Sequence, residues 1–200
     1  IQSIPNLNWA GGTSRPRYFQ IRGIGERSLY AGEGPPNFSV GFIIDDIDFS
    51  GIGMPGLLFD MNQIEVFRGP QSSIFGSNAM AGLISMRSTE PLSQFEIAIQ
   101  TTIATENNRH VGISLNIPVN AKMNTRFSVY SGGTDGFRKN HYTNITNSDG
   151  KSELLIRYKS TWFPYSFLKF NLTALYSNQN NKYDVWAPNN NNNLFTYSDR

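Results

Sequence analysis

The sequence predicts an α+β globule followed by antiparallel β-strands long enough for a membrane-crossing barrel. Three observations support this fold class. Residues 1–91 carry most of the Gly/Pro punctuation and only short strand-like runs, whereas apolar and polar residues alternate from Gln94 onward. Aromatic residues reach 13% and glycines number 18, yet only 38% of residues are hydrophobic, which suits sheets with one apolar and one polar face. We therefore predict two domains, residues 1–91 and 92–200.

The overall charge and the residue types that are missing exclude several kinds of function. The net charge is +2 and no run of five basic residues occurs, so nucleic acid is not an expected partner. Cysteine is absent, which excludes disulfides and thiolate metal sites. His110 and His141 are the only histidines, and their spacing matches no metal-binding motif. We therefore predict neither a metal nor a cofactor.

The first domain is predicted to contain four short strands and little helix. The possible short helix lies near "PQSSIFGSNAMA". The strand-like runs read "RYFQIRG", "SVGFIIDDIDF", "QIEVFRG" and "GLISMRST".

The second domain contains five alternating runs, at residues 95–103, 111–119, 126–130, 154–162 and 168–177. A side chain points to the opposite face at each step along a strand, so each run has one apolar and one polar face. Most of these runs approach the roughly 9–11 residues that a tilted strand needs to cross a bilayer. A soluble β-sheet would show the same alternation, and both interpretations stay open at this point.

The connections between the runs alternate in length, which favours the membrane barrel. Residues 120–124 and 164–167 form short connections, whereas residues 132–151 and the stretch after Ser177 are long and polar. The segment "WFPYSF", residues 162–167, is predicted to be an aromatic girdle at the short-turn interface, with an ordinary aromatic hairpin as the alternative. Five strands cannot close a bilayer-spanning barrel, so we expect an excerpt of a longer protein.

Two candidate catalytic motifs do not fit their surroundings. Six residues separate Gly69 from Gly76 and no Lys-Ser/Thr pair follows, unlike the phosphate-binding loop of nucleotide hydrolases. The strand ending in Asp46 and Asp48 is similar to the nucleophile strand of aspartate-based phosphatases. Those enzymes need parallel strands, which the alternating second half does not predict. The sequence therefore does not predict an enzyme.

One long segment resembles a known family. Residues 40–91, which include "IEVFRGPQSSIFGSNAMAG", are similar to the C-terminal half of the plug of TonB-dependent outer-membrane receptors, whose usual form is "I-E-V-L-R-G-P-Q-S-x-L-Y-G". Upstream, "FQIRGIG" resembles the I-R-G strand of the same plug. Asp46 stands where glycine is usual, which leaves the subfamily open.

The resemblance implies a fold, a membrane and a transport function. The fold would be an α+β plug followed by the first strands of an approximately 22-stranded barrel. The protein would be a monomer in the bacterial outer membrane and would import a scarce nutrient, first of all an iron–siderophore complex. Energy would come from the TonB–ExbB–ExbD complex through a TonB box outside this chain. Haem, cobalamin and carbohydrate are alternative ligands, and a soluble β-rich binding module is the alternative of a different class.

The resemblance also suggests site residues in the plug. Arginines could form charge-assisted contacts with carboxylates of the barrel wall, and the neighbouring glycines permit tight turns. The predicted plug–barrel contacts are Arg22, Gly23, Arg68, Gly69 and Gly76. The residues predicted to contact an anionic or aromatic ligand are Arg27, Tyr30 and Phe49.

Overall fold

The computed structural model describes residues 4–10, 18–25, 38–52, 58–182 and 195–196. The chain divides into two units, Ile1–Thr89 and Glu90–Arg200, each described by itself below. The domain limits expected from the sequence, 1–91 and 92–200, stay a prediction.

The first unit contains two small sheets and, as predicted, little helix; β1 was not among the predicted strands. Strands β1 and β2 pair antiparallel, and the second sheet has the order β4-β3-β6-β5 with β3 and β6 parallel. A short helix α1 and a 3-10 turn at Ser77–Ala79 separate β5 from β6. The elements are β1 Leu7–Ala10, β2 Tyr18–Ile21, β3 Val40–Ile44, β4 Ile47–Asp48, β5 Met61–Phe67, α1 Ser72–Phe75 and β6 Gly82–Ser88.

The core of the first unit lies around β3 and β6. Every residue of β3 is buried, and so are all but one of β6, because the two strands occupy the centre of the sheet. Phe42 stacks on Phe19 of β2, with ring centroids 5.4 Å apart. Ile84 and Met86 complete a cluster with no more than 1% of either residue exposed. Three of the four runs that predicted strands therefore form the interior of this unit, whereas β5, from "QIEVFRG", has no buried residue.

The run "SVGFIIDDIDF" is not one strand, which corrects the sequence-based interpretation. Asp45 and Asp46 both have positive φ angles, 49° and 65°, and Ile44 pairs with Ile47. Two consecutive positive φ angles define the two-residue hairpin turn whose twist matches its flanking strands. Asp45 is held there because its carboxylate accepts hydrogen bonds from the backbone N–H and the hydroxyl of Ser88, at 2.9 and 2.6 Å. The chain reverses between β3 and β4, before the position that the pattern suggested.

The second unit is an antiparallel meander whose strand order follows the chain, β7-β8-β9-β11-β12. The third strand is 12 residues long rather than the short run predicted, because Ser131, Gly132 and Gly133 continue the pairing without continuing the apolar pattern. Two short strands, β10 and β13, pair parallel in a separate sheet. The elements are β7 Glu96–Ala104, β8 Asn108–Asn120, β9 Met123–Thr134, β10 Lys139–Asn140, β11 Lys151–Tyr165, β12 Leu168–Gln179 and β13 Phe195–Thr196.

The connections of the meander differ at its two ends. At one end β8 joins β9 through residues 121–122, and β11 joins β12 through residues 166–167. At the other end residues 135–150 form the long connection, which contains β10, while residues 105–107 form a tight turn between β7 and β8. We call these the short-turn end and the long-loop end. Within the described ranges, no helix is long and apolar enough to cross a membrane.

Candidate functional site

The meander has an exposed apolar face, and the polar face of its central strands β8, β9 and β11 is buried, the reverse of a water-soluble sheet. On the apolar face Ile99 is 68% exposed and Leu172 is 58% exposed. On the polar face Asn116, Arg126 and Arg157 are at most 4% exposed. A soluble protein buries its apolar side chains, whereas a membrane barrel turns them toward lipid and keeps polar groups inside. The open choice between a soluble sheet and a membrane barrel is thereby resolved in favour of the barrel.

Cross-strand pairing arranges the apolar face in rows across the sheet. Four rows are largely apolar and two rows toward the long-loop end are increasingly polar. We name three of them, in order toward the long-loop end. The Ile99 row contains Ile99, Ile113, Val129, Ile156 and Tyr176; the Val111 row contains Thr101, Val111, Ser131, Leu154 and Asn178; the Arg109 row contains Ile103, Arg109, Gly133 and Ser152.

Aromatic side chains cluster at the short-turn end, where the sequence predicted a girdle. Trp162 stacks on Phe170 and Tyr165 on Phe167, with centroid distances of 5.7 and 5.6 Å. All four are at least 47% exposed. The pairing of β11 with β12 shifts between Trp162 and Tyr165, and Pro164 falls in this irregularity, where its missing N–H costs no ladder bond. Exposed aromatic rings at one end of an apolar band are typical of a membrane interface.

The polar face carries a charged network around Arg126. The Arg126 guanidinium donates to the Ser114 hydroxyl at 3.1 Å and lies 3.4 Å from the Glu96 carboxylate. The side chain of Arg126 is 4% exposed, whereas that of Glu96 is 38% exposed. A buried guanidinium requires such partners because an unpaired buried charge is strongly destabilising.

Two further residues of the polar face hold the segment that precedes β7. The Asn116 side chain accepts from the Leu92 N–H at 2.9 Å and donates to the Leu92 carbonyl at 2.8 Å and to the Gln94 carbonyl. The Lys159 ammonium donates to the Glu90 carboxylate at 2.6 Å. Asn116 is fully buried and Lys159 is 5% exposed. Residues 90–94, which we call the entry segment, are therefore fixed to the wall of the second unit.

The predicted Arg22–Gly23 pair forms the centre of a tight turn. Arg22 and Gly23 have φ angles of 54° and 81°, and Ile21 and Ile24 exchange backbone hydrogen bonds of 2.9 and 3.0 Å. Both central residues are exposed, and the Arg22 N–H donates to the Asn6 carbonyl at 2.9 Å. The backbone of this corner is fixed while its arginine stays accessible.

The predicted Arg68–Gly69 pair follows β5 and leads into α1. Arg68 is exposed, and Gly69 has a φ of 153° with open space where a Cβ would stand. Gly76 ends α1 with a φ of 81°, again with open space beside it. Glycine is required at Gly76 by this backbone angle rather than by close packing. Within the first unit, close packing is found instead at Gly82, where a Cβ would lie 2.5 Å from the Phe67 carbonyl oxygen.

The aspartates that resembled a phosphatase strand have structural partners. Asp46 lies 3.6 Å from the Arg87 guanidinium, and both side chains are exposed. Partial burial would raise the pKa of Asp48, but hydrogen bonds from Ser50 and Asn78 outweigh it and hold that pKa below its usual value. Among the described residues, no group of three or more His, Cys, Asp or Glu side chains could hold a metal ion.

Comparison with known families decides what the first unit is. The family model described as TonB-dependent Receptor Plug Domain matches residues 1–83. Residues 1–83 are thus similar to the plug domain of TonB-dependent receptors. The resemblance stated from the sequence is thus confirmed, and so is the fold class of a plug followed by antiparallel barrel strands. The plug match and the similar solved receptors support the predicted location in the bacterial outer membrane.

The plug and the meander together are similar to solved outer-membrane receptors. The ferric yersiniabactin uptake receptor FyuA from Yersinia pestis aligns with a TM-score of 0.68, 18% identity and coverage of 81% of this chain and 25% of that one. The siderophore receptor PiuA from Acinetobacter baumannii aligns with a TM-score of 0.68 and 16% identity, and the alignment covers 89% of this chain and 23% of that one. The ferric-catecholate import receptor Fiu from E. coli K12 aligns with a TM-score of 0.59 and 20% identity, and the alignment covers 73% of this chain and 21% of that one. At these identities the likeness shows the fold, and the chain spans about a quarter of the FyuA receptor.

The residues expected to contact ligand are only partly described. Arg27 and Tyr30 lie outside the described residues of the plug. Phe49 is half-buried and packs against the core of the plug, and its N–H donates to the Phe42 carbonyl at 2.8 Å. A role in ligand contact stays a prediction for all three.

Sequence reasoning missed the polar-face residues that hold the entry segment. Asn116 and Lys159 were recognised only as members of alternating strands. Their position on the face opposite the apolar stripe was a usable signal, because a charged side chain on that face of a barrel must find a polar partner.

Proposed function

We propose that this chain is part of an outer-membrane receptor that imports an iron–siderophore complex with energy supplied by the TonB–ExbB–ExbD complex. The observation that carries the proposal is the plug domain at residues 1–83, followed by strands with an outward apolar face. Ferric yersiniabactin, ferric catecholates and siderophores appear in the names of the similar solved receptors, which favours this ligand class.

The proposed mechanism uses the two faces of the meander differently. The apolar face holds the receptor in lipid, and the polar face lines the path that the plug domain closes. Ligand binds from outside, TonB pulls on the plug, and the ligand passes along the polar face. The receptor works as a monomer, because a single closed barrel completes its own wall.

Within this mechanism we assign the two arginine corners to plug seating. Arg22 and Arg68 are exposed within the first unit, and we propose that each guanidinium pairs with a carboxylate of the barrel wall. Gly23, Gly69 and Gly76 shape the backbone beside them. Arg27, Tyr30 and Phe49 remain our candidates for ligand contact.

Growth of a receptor deletion strain on a panel of iron sources tests the proposed function. We expect the deletion to abolish growth on one or more ferric siderophores in iron-limited medium, and the full-length gene to restore it only when TonB is present. Haem and cobalamin are tested in parallel arms, and a carbohydrate panel is added as sole carbon source. Growth restored without TonB would contradict energy coupling, and a defect confined to haem, cobalamin or a carbohydrate would contradict the siderophore assignment.

A further inference from the structure

One row of polar side chains crosses four strands of the meander and binds the segment that enters it. Cross-strand pairing places in this row, which we call the clamp row, Glu96 of β7, Asn116 of β8, Arg126 of β9 and Lys159 of β11. Asn116 and Lys159 bind the entry segment directly. We propose that these two are positioning residues for transport: they pass the pull of TonB to the wall, so that the pull does not reach β7. The inference rests on the proposed function, in which TonB pulls on the plug.

The first unit is held by hydrogen bonds up to its last residue. Strand β6 lies between β3 and β5 in the larger sheet of this unit. Its last residue, Ser88, donates hydrogen bonds from its N–H and its hydroxyl to the Asp45 carboxylate, at 2.9 and 2.6 Å. The N–H and the hydroxyl of Thr89 donate to the Asp60 carbonyl, at 3.1 and 3.3 Å. Tension that draws on this sheet is therefore carried along the chain as far as Thr89.

The second unit is held from its first residue. The Lys159 ammonium donates to the Glu90 carboxylate at 2.6 Å. The Asn116 amide binds both the N–H and the carbonyl of Leu92, at 2.9 and 2.8 Å. Thr89 and Glu90 are consecutive, so the chain has no slack between the contacts of the first unit and those of the second. Tension that reaches Thr89 is therefore transferred at once to Lys159 and then to Asn116.

The wall needs this protection because β7 would open easily under a pull on its first residue. Glu96 begins β7 only two residues after the entry segment ends at Gln94. Strand β7 is an edge strand of the described sheet, and it pairs antiparallel with β8 from Glu96 at one end to Ala104 at the other. A pull on Glu96 loads one cross-strand pair at a time, so the pairs separate one after another. The clamp row intercepts the pull before it arrives there.

The mounting of the clamp row suits it to carry a load. Strands β8, β9 and β11 each pair with a neighbour on both sides. Asn116 is fully buried, Lys159 is 5% exposed, and Arg126 between them lies 3.4 Å from the Glu96 carboxylate. Separating a buried ammonium from its carboxylate is costly, because little water is present to replace the lost partner. A load on the entry segment is thereby spread over the three central strands.

Single-molecule force spectroscopy of the full-length receptor in a lipid bilayer tests the proposal, with the pull applied through a handle fused to the N-terminus of the mature protein. In the natural protein we expect a force peak when the pull reaches the entry segment, and β7 should open only after that peak. The clamp variant, Asn116→Ala with Lys159→Gln, should lose the peak and extend further at low force. The added extension should be about 50 Å, the length of residues 90–104 at about 3.4 Å per residue.

Two other variants separate the clamp from general effects of substitution. The matched control, Asn178→Ala with Lys169→Gln, removes the same chemical groups from exposed positions of β12 and should keep the natural force peak. Glu90→Gln removes the ion pair from its exposed side, since the Glu90 side chain is 61% exposed, and folding is therefore not at risk. It should lower the peak about two-fold. Equal peaks in the natural protein and the clamp variant would overturn the proposal, and so would an equal loss in the matched control.

Cells provide a readout that a merely structural defect would not give. Opening of β7 breaks the closed wall, so a large hydrophilic antibiotic such as vancomycin should enter, and the clamp variant should make cells about four-fold more sensitive to it when TonB is present. Without TonB their sensitivity should equal that of cells with the natural receptor. Increased sensitivity without TonB would overturn the proposal, because it would show a folding defect alone. The growth test on iron sources judges the proposed function separately, and the force measurement does not depend on it.

Discussion

Replacing Asn116 with alanine is expected to release the entry segment from the barrel wall. In the natural protein the Asn116 amide forms three hydrogen bonds to the backbone of Leu92 and Gln94. Each such bond contributes about 1 kcal/mol net, and a group left buried without a partner costs more. Because Gln94 is exposed, water can replace part of the loss at that carbonyl. We therefore expect the local opening free energy of the entry segment to fall by about 2–3 kcal/mol.

Hydrogen exchange at the Leu92 amide measures this opening directly. A loss of 2–3 kcal/mol corresponds to exchange about 30- to 150-fold faster, since about 1.4 kcal/mol equals a factor of ten. Asn116→Asp keeps an acceptor for the Leu92 N–H but sets a carboxylate oxygen against the carbonyl oxygens of Leu92 and Gln94, so the Leu92 amide should exchange at least as fast as in Asn116→Ala. Asn178→Ala, an exposed asparagine of β12, is the control and should leave exchange unchanged. Natural-like protection of Leu92 in Asn116→Ala would refute the reasoning.

Three further changes test other contacts. Lys159→Glu should destabilise the entry segment by about 1–2 kcal/mol in the same exchange experiment, and adding Glu90→Lys should restore much of it; no rescue would contradict the ion pair. Because the pKa of Asp48 is lowered, its hydrogen bonds stabilise the plug above the ordinary value of 3.8 and are lost as the pH falls through the lowered pKa. The stability of Asp48→Asn should therefore not show the loss that protonation of Asp48 causes in the natural protein. An unchanged dependence of plug stability on pH would exclude this contribution of Asp48. Arg68→Ala should raise the rate of proteolysis within the plug about ten-fold, as expected for the loss of one charge-assisted contact; unchanged cleavage and uptake would remove its seating role.

Sequence periodicity predicted the meander well because a membrane wall imposes alternation on every strand. The apolar members of the run at residues 111–119 are exposed or half-buried in β8 while the intervening residues Gly112, Ser114 and Asn116 are buried. In the edge strand β7 both faces are exposed. The pattern underestimated β9 because Ser131, Gly132 and Gly133 lie above the apolar band, where no alternation is required. Hydrophobic periodicity therefore cannot predict where a strand ends when that end lies outside the hydrocarbon layer.

The hairpin at Asp45 and Asp46 could not be predicted from local preferences. Two consecutive positive φ angles usually take Asn, Asp or Gly followed by Gly, and here Asp46 stands at the second position instead of Gly. Asp45 adopts this conformation because Ser88, distant in the sequence, donates two hydrogen bonds to its carboxylate. The partners of Asn116 and Lys159 could not be predicted from the sequence for the same reason, since they depend on where the entry segment crosses the sheet.

The strand order of the meander has a consequence for assembly. Each long strand pairs with the long strand before and after it, so the wall has low contact order and can grow one hairpin at a time. The central pairing of the plug instead joins Val40 to Gly82, and a long loop must close before that sheet forms. We therefore expect the two units to mature on different schedules, with local wall hairpins forming before the parallel pair at the centre of the plug.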